Sequence, residues 1–161
     1  MTEIVPGRWT HHHDGDVVVF LIGMRINRLR AVRTWWPATR AMPAMLKELY
    51  ADPSLGLLSH TVHVSWRGLM VIQYWRDLDS LMGYAQAPGH VHRPAWAEFN
   101  RRARAAAGAV GIWHETLVAS GGAHESLYVD MPRQGLPAGW QAVQAGGRRE
   151  TARGRLAASP G

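Results

Sequence analysis

Five polar side chains in this sequence have the chemistry for proton transfer: His92, His114, Glu115, Arg25 and Asn27. A histidine titrates near neutrality, so it can take and return a proton at physiological pH. A half-buried carboxylate such as Glu115 gains that capacity when burial raises its pKa. Arg25 and Asn27 carry N–H donors of the kind that hold a developing oxyanion. His114 and Glu115 are neighbours on an alternating stretch, so they point to opposite faces and form no dyad with each other. His114 or His92 is the candidate base, with Arg25 or Asn27 as its anion-stabilising partner. Each also has a structural reading: His114 as a hydrogen-bonded core residue, His92 as a solvated loop residue, Glu115 in an ion pair with an arginine such as Arg25, and Arg25 and Asn27 as strand-end caps.

Metal chemistry has no comparable pattern. Cysteine is absent, which removes disulfides, thiolate metal ligands and a cysteine nucleophile. His90-Val91-His92 is a weak signal against the three or more ligands of an ordinary site, so no metal is expected. His11, His12 and His13 read as a solvated loop before the Asp14-Gly15 turn. His60 and His63 point to opposite sides of their strand. There is no nucleophile elbow and no glycine-rich phosphate loop.

The elements that position these groups follow from periodicity. Pro88 to Leu117 organises the chain. A helix starts at Pro94 and carries Trp96, Phe99 and Ala103 on one side; Gly108 ends it, and a strand over 109–118 holds His114 and Glu115 near its middle. Residues 16–26 are apolar on both strand faces, which requires two covers. Helices supply one, and a partner subunit supplies the other. A helix is expected over 32–50, with Pro37 and Pro43 complicating it. Strands over 57–66 and 69–75 form a hairpin. A helix over 77–87 starts at an Asp77 cap, and a further short strand covers 124–129. Trp35, Trp36, Met42, Trp66, Trp96 and Phe99 are the candidate lining of an apolar pocket, though as a tryptophan and methionine stripe they also serve simply as core.

This order is a split βαβ, ferredoxin-like α+β fold with an antiparallel sheet. Its expected divisions are an N-terminal lead-in over 1–15, the domain over 16–131, and a Pro/Gly/Arg-rich, largely disordered tail over 132–161. The segments GDVVVFLIGMRINR, WWPATRAMPAMLKEL, VIQYWRDLDSLMGYA, HRPAWAEFNRR and VGIWHETL, followed by MPRQGL, resemble a bacterial monooxygenase-like family. That family is placed in the dimeric α/β-barrel superfamily with antibiotic-biosynthesis monooxygenases and haem-containing aldoxime dehydratases. The resemblance runs from about Pro6 to Pro137 and implies a ferredoxin-like homodimer. It carries no catalytic residue across. By resemblance the function is a monooxygenase, cofactor-free, acting on a small hydrophobic or aromatic molecule, or a haem protein of the aldoxime-dehydratase kind with an axial histidine; the residues themselves leave a third reading, a non-enzymatic binder of small apolar ligands in which the histidines are structural.

Composition sets outer limits. A chain of 161 residues suits one domain with a real core. The net charge of +6 is mostly in the tail, where five arginines face Glu150 alone from Pro132 onward. No clustered basic face remains for nucleic acid. No apolar run approaches the ~20 residues of a membrane span. The N-terminus carries Glu3 and lacks a basic start before an apolar stretch, so no secretory signal is expected and the cytoplasm is the expected compartment.

Overall fold

In chain order the elements are β1 (Ile4–His12), β2 (Val17–Ile26), α1 (Val32–Ala51), β3 (Leu57–Ser65), β4 (Gly68–Trp75), α2 (Leu78–Gln86), β5 (Val110–Ala119), β6 (Tyr128–Pro132), α3 (Leu136–Gly139), β7 (Gln141–Gln144) and α4 (Ala152–Ala157). The computed structural model describes residues 3–87, 97, 101 and 108–158. The expected helix from Pro94, with His90, His92, Trp96 and Phe99, lies outside the described residues.

Four strands make an antiparallel sheet in the order β3-β4-β2-β5. With α1 after β2 and α2 after β4, this is the split βαβ, ferredoxin-like α+β arrangement. The register sorts the faces. Val18, Phe20, Ile22 and Met24 stand opposite Trp75, Gln73, Val71 and Leu69 of β4, and opposite Val118, Thr116, His114 and Ile112 of β5. These residues share the helix-covered face. Val17, Val19, Leu21, Gly23 and Arg25 share the other.

The core on the helix side has two parts. Val18, Leu46, Leu49, Leu57, Trp75, Leu81 and Tyr84 pack at one end of the sheet, with Phe20 and Met42 against them. Met24, Ile26 and Val110 pack at the other end, joined by Trp35 and Ile112. Each such buried side chain contributes about 1.5–3 kcal/mol. The strand rows of Phe20 and Ile22 lie between the two ends. α2 is started by Asp77, whose side chain accepts from the Ser80 N–H, as expected of an acidic cap.

A second antiparallel sheet, in the order β6-β1-β7, corrects three expectations. Residues 1–15 are not a lead-in: β1 pairs with β6 on one side and β7 on the other. The late strand runs over 128–132 rather than 124–129 and leaves the main sheet. The tail beyond Pro132 is ordered through α3, β7 and α4. The physical reason is burial. Trp9 is 4%, Ala145 5% and Arg155 7% exposed. The Arg155 guanidinium donates to Glu125 Oε2 at 2.7 Å and to the carbonyls of Arg149 and Glu150. A tail arginine that looked like solvated charge is thus an internal clamp.

β3 interrupts the strict alternation of a strand. The register shifts between Leu57 and Ser59, so Leu58 is bulged out of the ladder. Leu57 thereby joins Trp75 and His60 on the helix face instead of opposing them. The bulge also serves the second sheet: Gly139 of α3 packs beside Leu58, and the Ser59 hydroxyl donates to the Gly135 carbonyl at 2.7 Å. The two sheets meet there.

Candidate functional site

Beside the first core cluster the helices and the sheet leave a cavity of about 290 Å³. Its sheet side consists of Phe20 and Ile22 from β2, Gln73 and Trp75 from β4, and His114 and Thr116 from β5. Its helix side consists of Met42, Met45 and Leu49 from α1, and Leu81, Met82, Tyr84 and Ala85 from α2. The lining is apolar with a few polar groups, as ligand pockets usually are.

Gln73, Trp75, Tyr84, His114 and Thr116 supply its polar groups. The Trp75 indole N–H can only donate, and it does so to Gln73 Oε1 at 3.0 Å. That contact fixes the amide: the oxygen is taken, and the NH₂ faces the cavity. Its recorded partner is the Met42 thioether at 3.9 Å, a weak acceptor. Gln73 is 5% exposed, so a strong N–H donor is held almost dry. The Tyr84 hydroxyl donates to Glu48 Oε2 at 2.8 Å. Burial, and then the Glu48 carboxylate, push its pKa well above the ordinary phenol value, so it stays neutral. His114 sits across the sheet, its ring 5.6 Å from that of Phe20, and is open to solvent on one side.

The structure brings only part of the expected site together. His114 and Met42 line the cavity. Glu115 lies on the opposite face, as the alternation requires. Arg25 is on that opposite face too, at the end of β2, opposite Gly68 and Gly111. Asn27 donates to the Gly108 carbonyl at 3.0 Å, closing the strand end. Trp35 packs in the second core cluster, its indole N–H on the Leu29 carbonyl. Trp36 is 53% exposed, and Trp66 is 79% exposed at the β3–β4 turn beneath the Arg67 guanidinium. His92, Trp96 and Phe99 lie outside the described residues. Gln73 was missed. Its signal was a polar residue inside the apolar run Val71-Ile72-Gln73-Tyr74-Trp75, two positions from an indole on the same face.

A second histidine group lies in the other sheet and overturns the solvated-loop reading of His11. The His11 ring is within 2.8 Å of Ser126 Oγ through Nδ1 and of His124 Nδ1 through Nε2, and His124 Nε2 is 2.9 Å from the Gly15 carbonyl. A carbonyl only accepts, so His124 carries its proton on Nε2. His11 then carries its own on Nε2, and Ser126 donates to His11 Nδ1. Burial, then the neighbouring His124 and His13 rings, lower the His11 pKa to about 4. Every ring nitrogen of the pair is committed. Among the described residues no group of three or more His, Asp or Glu side chains is placed to hold a metal, and no helix is long and apolar enough to cross a membrane.

Comparison with known proteins adds the following. A family model described as monooxygenase af470-like matches residues 17–136. Monooxygenase af470 of Aspergillus fumigatus is 29% identical over 146 residues, covering 80% of this chain. The chain spans about half the length of that curated relative, at 50%. Among solved structures, SnoaB, a cofactor-independent oxygenase from Streptomyces nogalater, is 18% identical with a TM-score of 0.38, covering 63% of this chain and 91% of its own. A dimeric protein of unknown function and ferredoxin-like fold from Bacteroides fragilis is 12% identical with a TM-score of 0.46, covering 68% and 99%.

Proposed function

The chain belongs to the monooxygenase af470-like family, and from that premise we propose that it oxygenates a small hydrophobic or aromatic molecule in the cavity between helices and sheet, without a resident cofactor. The observation that carries this reading is the joint presence of the His114 imidazole and a dry Gln73 donor on one apolar cavity. His114 takes a proton from an acidic C–H of the substrate. The resulting enolate-like carbanion is electron-rich enough to meet molecular oxygen. The atoms balance as a methylene plus O₂ giving a carbonyl plus water: one oxygen atom enters the product, and the other leaves with both methylene hydrogens. The electrons come from the two C–H bonds. The cavity volume of about 290 Å³ is at the lower end for ligand pockets, which favours one compact ring system over a porphyrin.

The test is oxygen uptake by the metal-chelated protein with a panel of anthrones and activated phenols. Catalysed uptake that is absent in His114→Asn is the expected result. No uptake above background on any member removes the oxygenase reading and leaves a ligand-binding protein.

We also propose a homodimer through the uncovered sheet face. Trp113 packs on Gly23, where a Cβ would meet the indole ring, and remains 40% exposed. Leu117 beside it is 55% exposed. β2 has apolar residues on this face as well as on the helix face, as a strand covered twice would. Sedimentation of the wild type as a dimer and of Trp113→Asp as a monomer is expected; a monomeric wild type contradicts it.

A further inference from the structure

The polar inventory of the cavity restricts its ligand. No arginine or lysine lines it among the described residues, and its one imidazole, His114, is the base in the reading above, so a carboxylate or phosphate beside Gln73 would have no permanent counter-ion and would carry a large desolvation cost. Tyr84 donates to Glu48 and Trp75 to Gln73. Among the described residues no strong acceptor meets the Gln73 Nε2–H, and Gln73 is nine-tenths buried, whereas the other hydroxyl on the lining, Thr116, belongs to an exposed residue. A buried donor of this kind costs free energy until a ligand satisfies it. The Trp75 contact prevents the amide from flipping to offer its oxygen instead.

Resting on the reading above and extending it to the substrate class, we propose that Gln73 is the specificity residue of the cavity and selects an uncharged, flat ligand bearing a carbonyl or phenol oxygen, which accepts the Gln73 Nε2–H. Phe20 lies between Gln73 on β4 and Thr116 on β5 in one row of the sheet and lines the cavity, an aromatic contact for a conjugated ring. His114 is one strand beyond β2 from Gln73, two strand spacings or roughly 10 Å away laterally. The base and the donor therefore touch opposite ends of the ligand. An anion made at His114 is stabilised by Gln73 only if conjugation links the two ends, which is why the ligand is an unsaturated ring system.

Binding of an isosteric pair tests this without turnover. 1-Tetralone and tetralin share a skeleton and differ by a carbonyl against a methylene. Their dissociation constants are measured by calorimetry on wild type, Gln73→Leu and Gln73→Met. Gln73→Met keeps the length of the side chain and carries no N–H, so it separates loss of the donor from loss of packing. The wild-type preference for 1-tetralone is expected to fall at least tenfold in both variants, with 1-naphthoate not binding the wild type. An unchanged preference in either folded variant overturns the assignment, as does failure of both ring compounds to bind the wild type. A tenfold loss of preference together with no oxygen uptake on any substrate upholds Gln73 and removes the oxygenase reading alone.

Discussion

The His11–His124 pair and the Gln73–His114 pair are both buried in part against a sheet, yet only one is open to chemistry. In the first, Ser126, His11, His124 and the Gly15 carbonyl form a closed chain in which each donor has its acceptor. Such a chain ties β1 to the β5–β6 connection and leaves nothing for a ligand. In the second, Trp75 saturates only the oxygen of Gln73 and leaves its nitrogen turned into an apolar space. His11, part of the run conspicuous in sequence, is committed to Ser126 and His124. The inconspicuous glutamine borders the cavity. Residual hydrogen-bonding capacity, rather than residue type, separates the two.

The comparison breaks first if turnover follows the wrong histidine. His114→Asn should lower turnover about 10²–10⁴-fold, the range for a lost general base, while leaving the chemical-denaturation free energy within about 0.5 kcal/mol of wild type, since the residue is exposed. Steady-state rates and urea titrations on the same preparation check both.

Stability against pH sharpens the other half. The His11 pKa is lowered from 6.5 to about 4, so the unfolded chain binds a proton that the folded chain refuses between those values. The contribution is fully present above pH 6.5 and is lost as pH falls towards 4, below which it levels off. The loss is about 3 kcal/mol over that window. His11→Phe should flatten this part of the profile and leave 1-tetralone affinity unchanged. Urea unfolding at successive pH values reads the first, and calorimetry the second.

Trp75→Phe should cost about 1–3 kcal/mol, since it removes buried volume and the donor that orients Gln73. It should also weaken the preference for 1-tetralone over tetralin, because the amide is then free to turn over. The smallest effect is expected at the other end of the hairpin. Trp66→Ala should change stability by less than about 0.5 kcal/mol and leave ligand affinity intact, because Trp66 stands in solvent.

The main sheet was legible because its signals are local and redundant. β2 and β5 read as continuous strands, Gly68 marks the turn into β4, and Asp77 caps α2. The opposite facing of His114 and Glu115 followed from a period of two. The second sheet was illegible for the converse reason. β1 has no apolar alternation of its own, and its partners β6 and β7 lie more than a hundred residues away, in a stretch whose glycine and arginine content imitates disorder. Arg155 is buried only because Glu125 and two carbonyls meet it, which no local pattern encodes. The bulge at Leu58 shifted one face of β3 by one residue. Trp36 and Trp66 read as pocket residues by type, but aromatic character does not say which way a ring points. Gln73 was hidden because a single polar residue in a strand more often faces water.

The most direct test is a titration of the ¹⁵N-labelled protein with 1-tetralone, followed through side-chain amide and imidazole resonances, with Gln73→Leu assigning the glutamine signal. The account predicts saturable shifts at the Gln73 NH₂ and at His114, with His11 and His124 unmoved. Shifts centred on His11 and His124, or binding that leaves the Gln73 amide where it was, would contradict it.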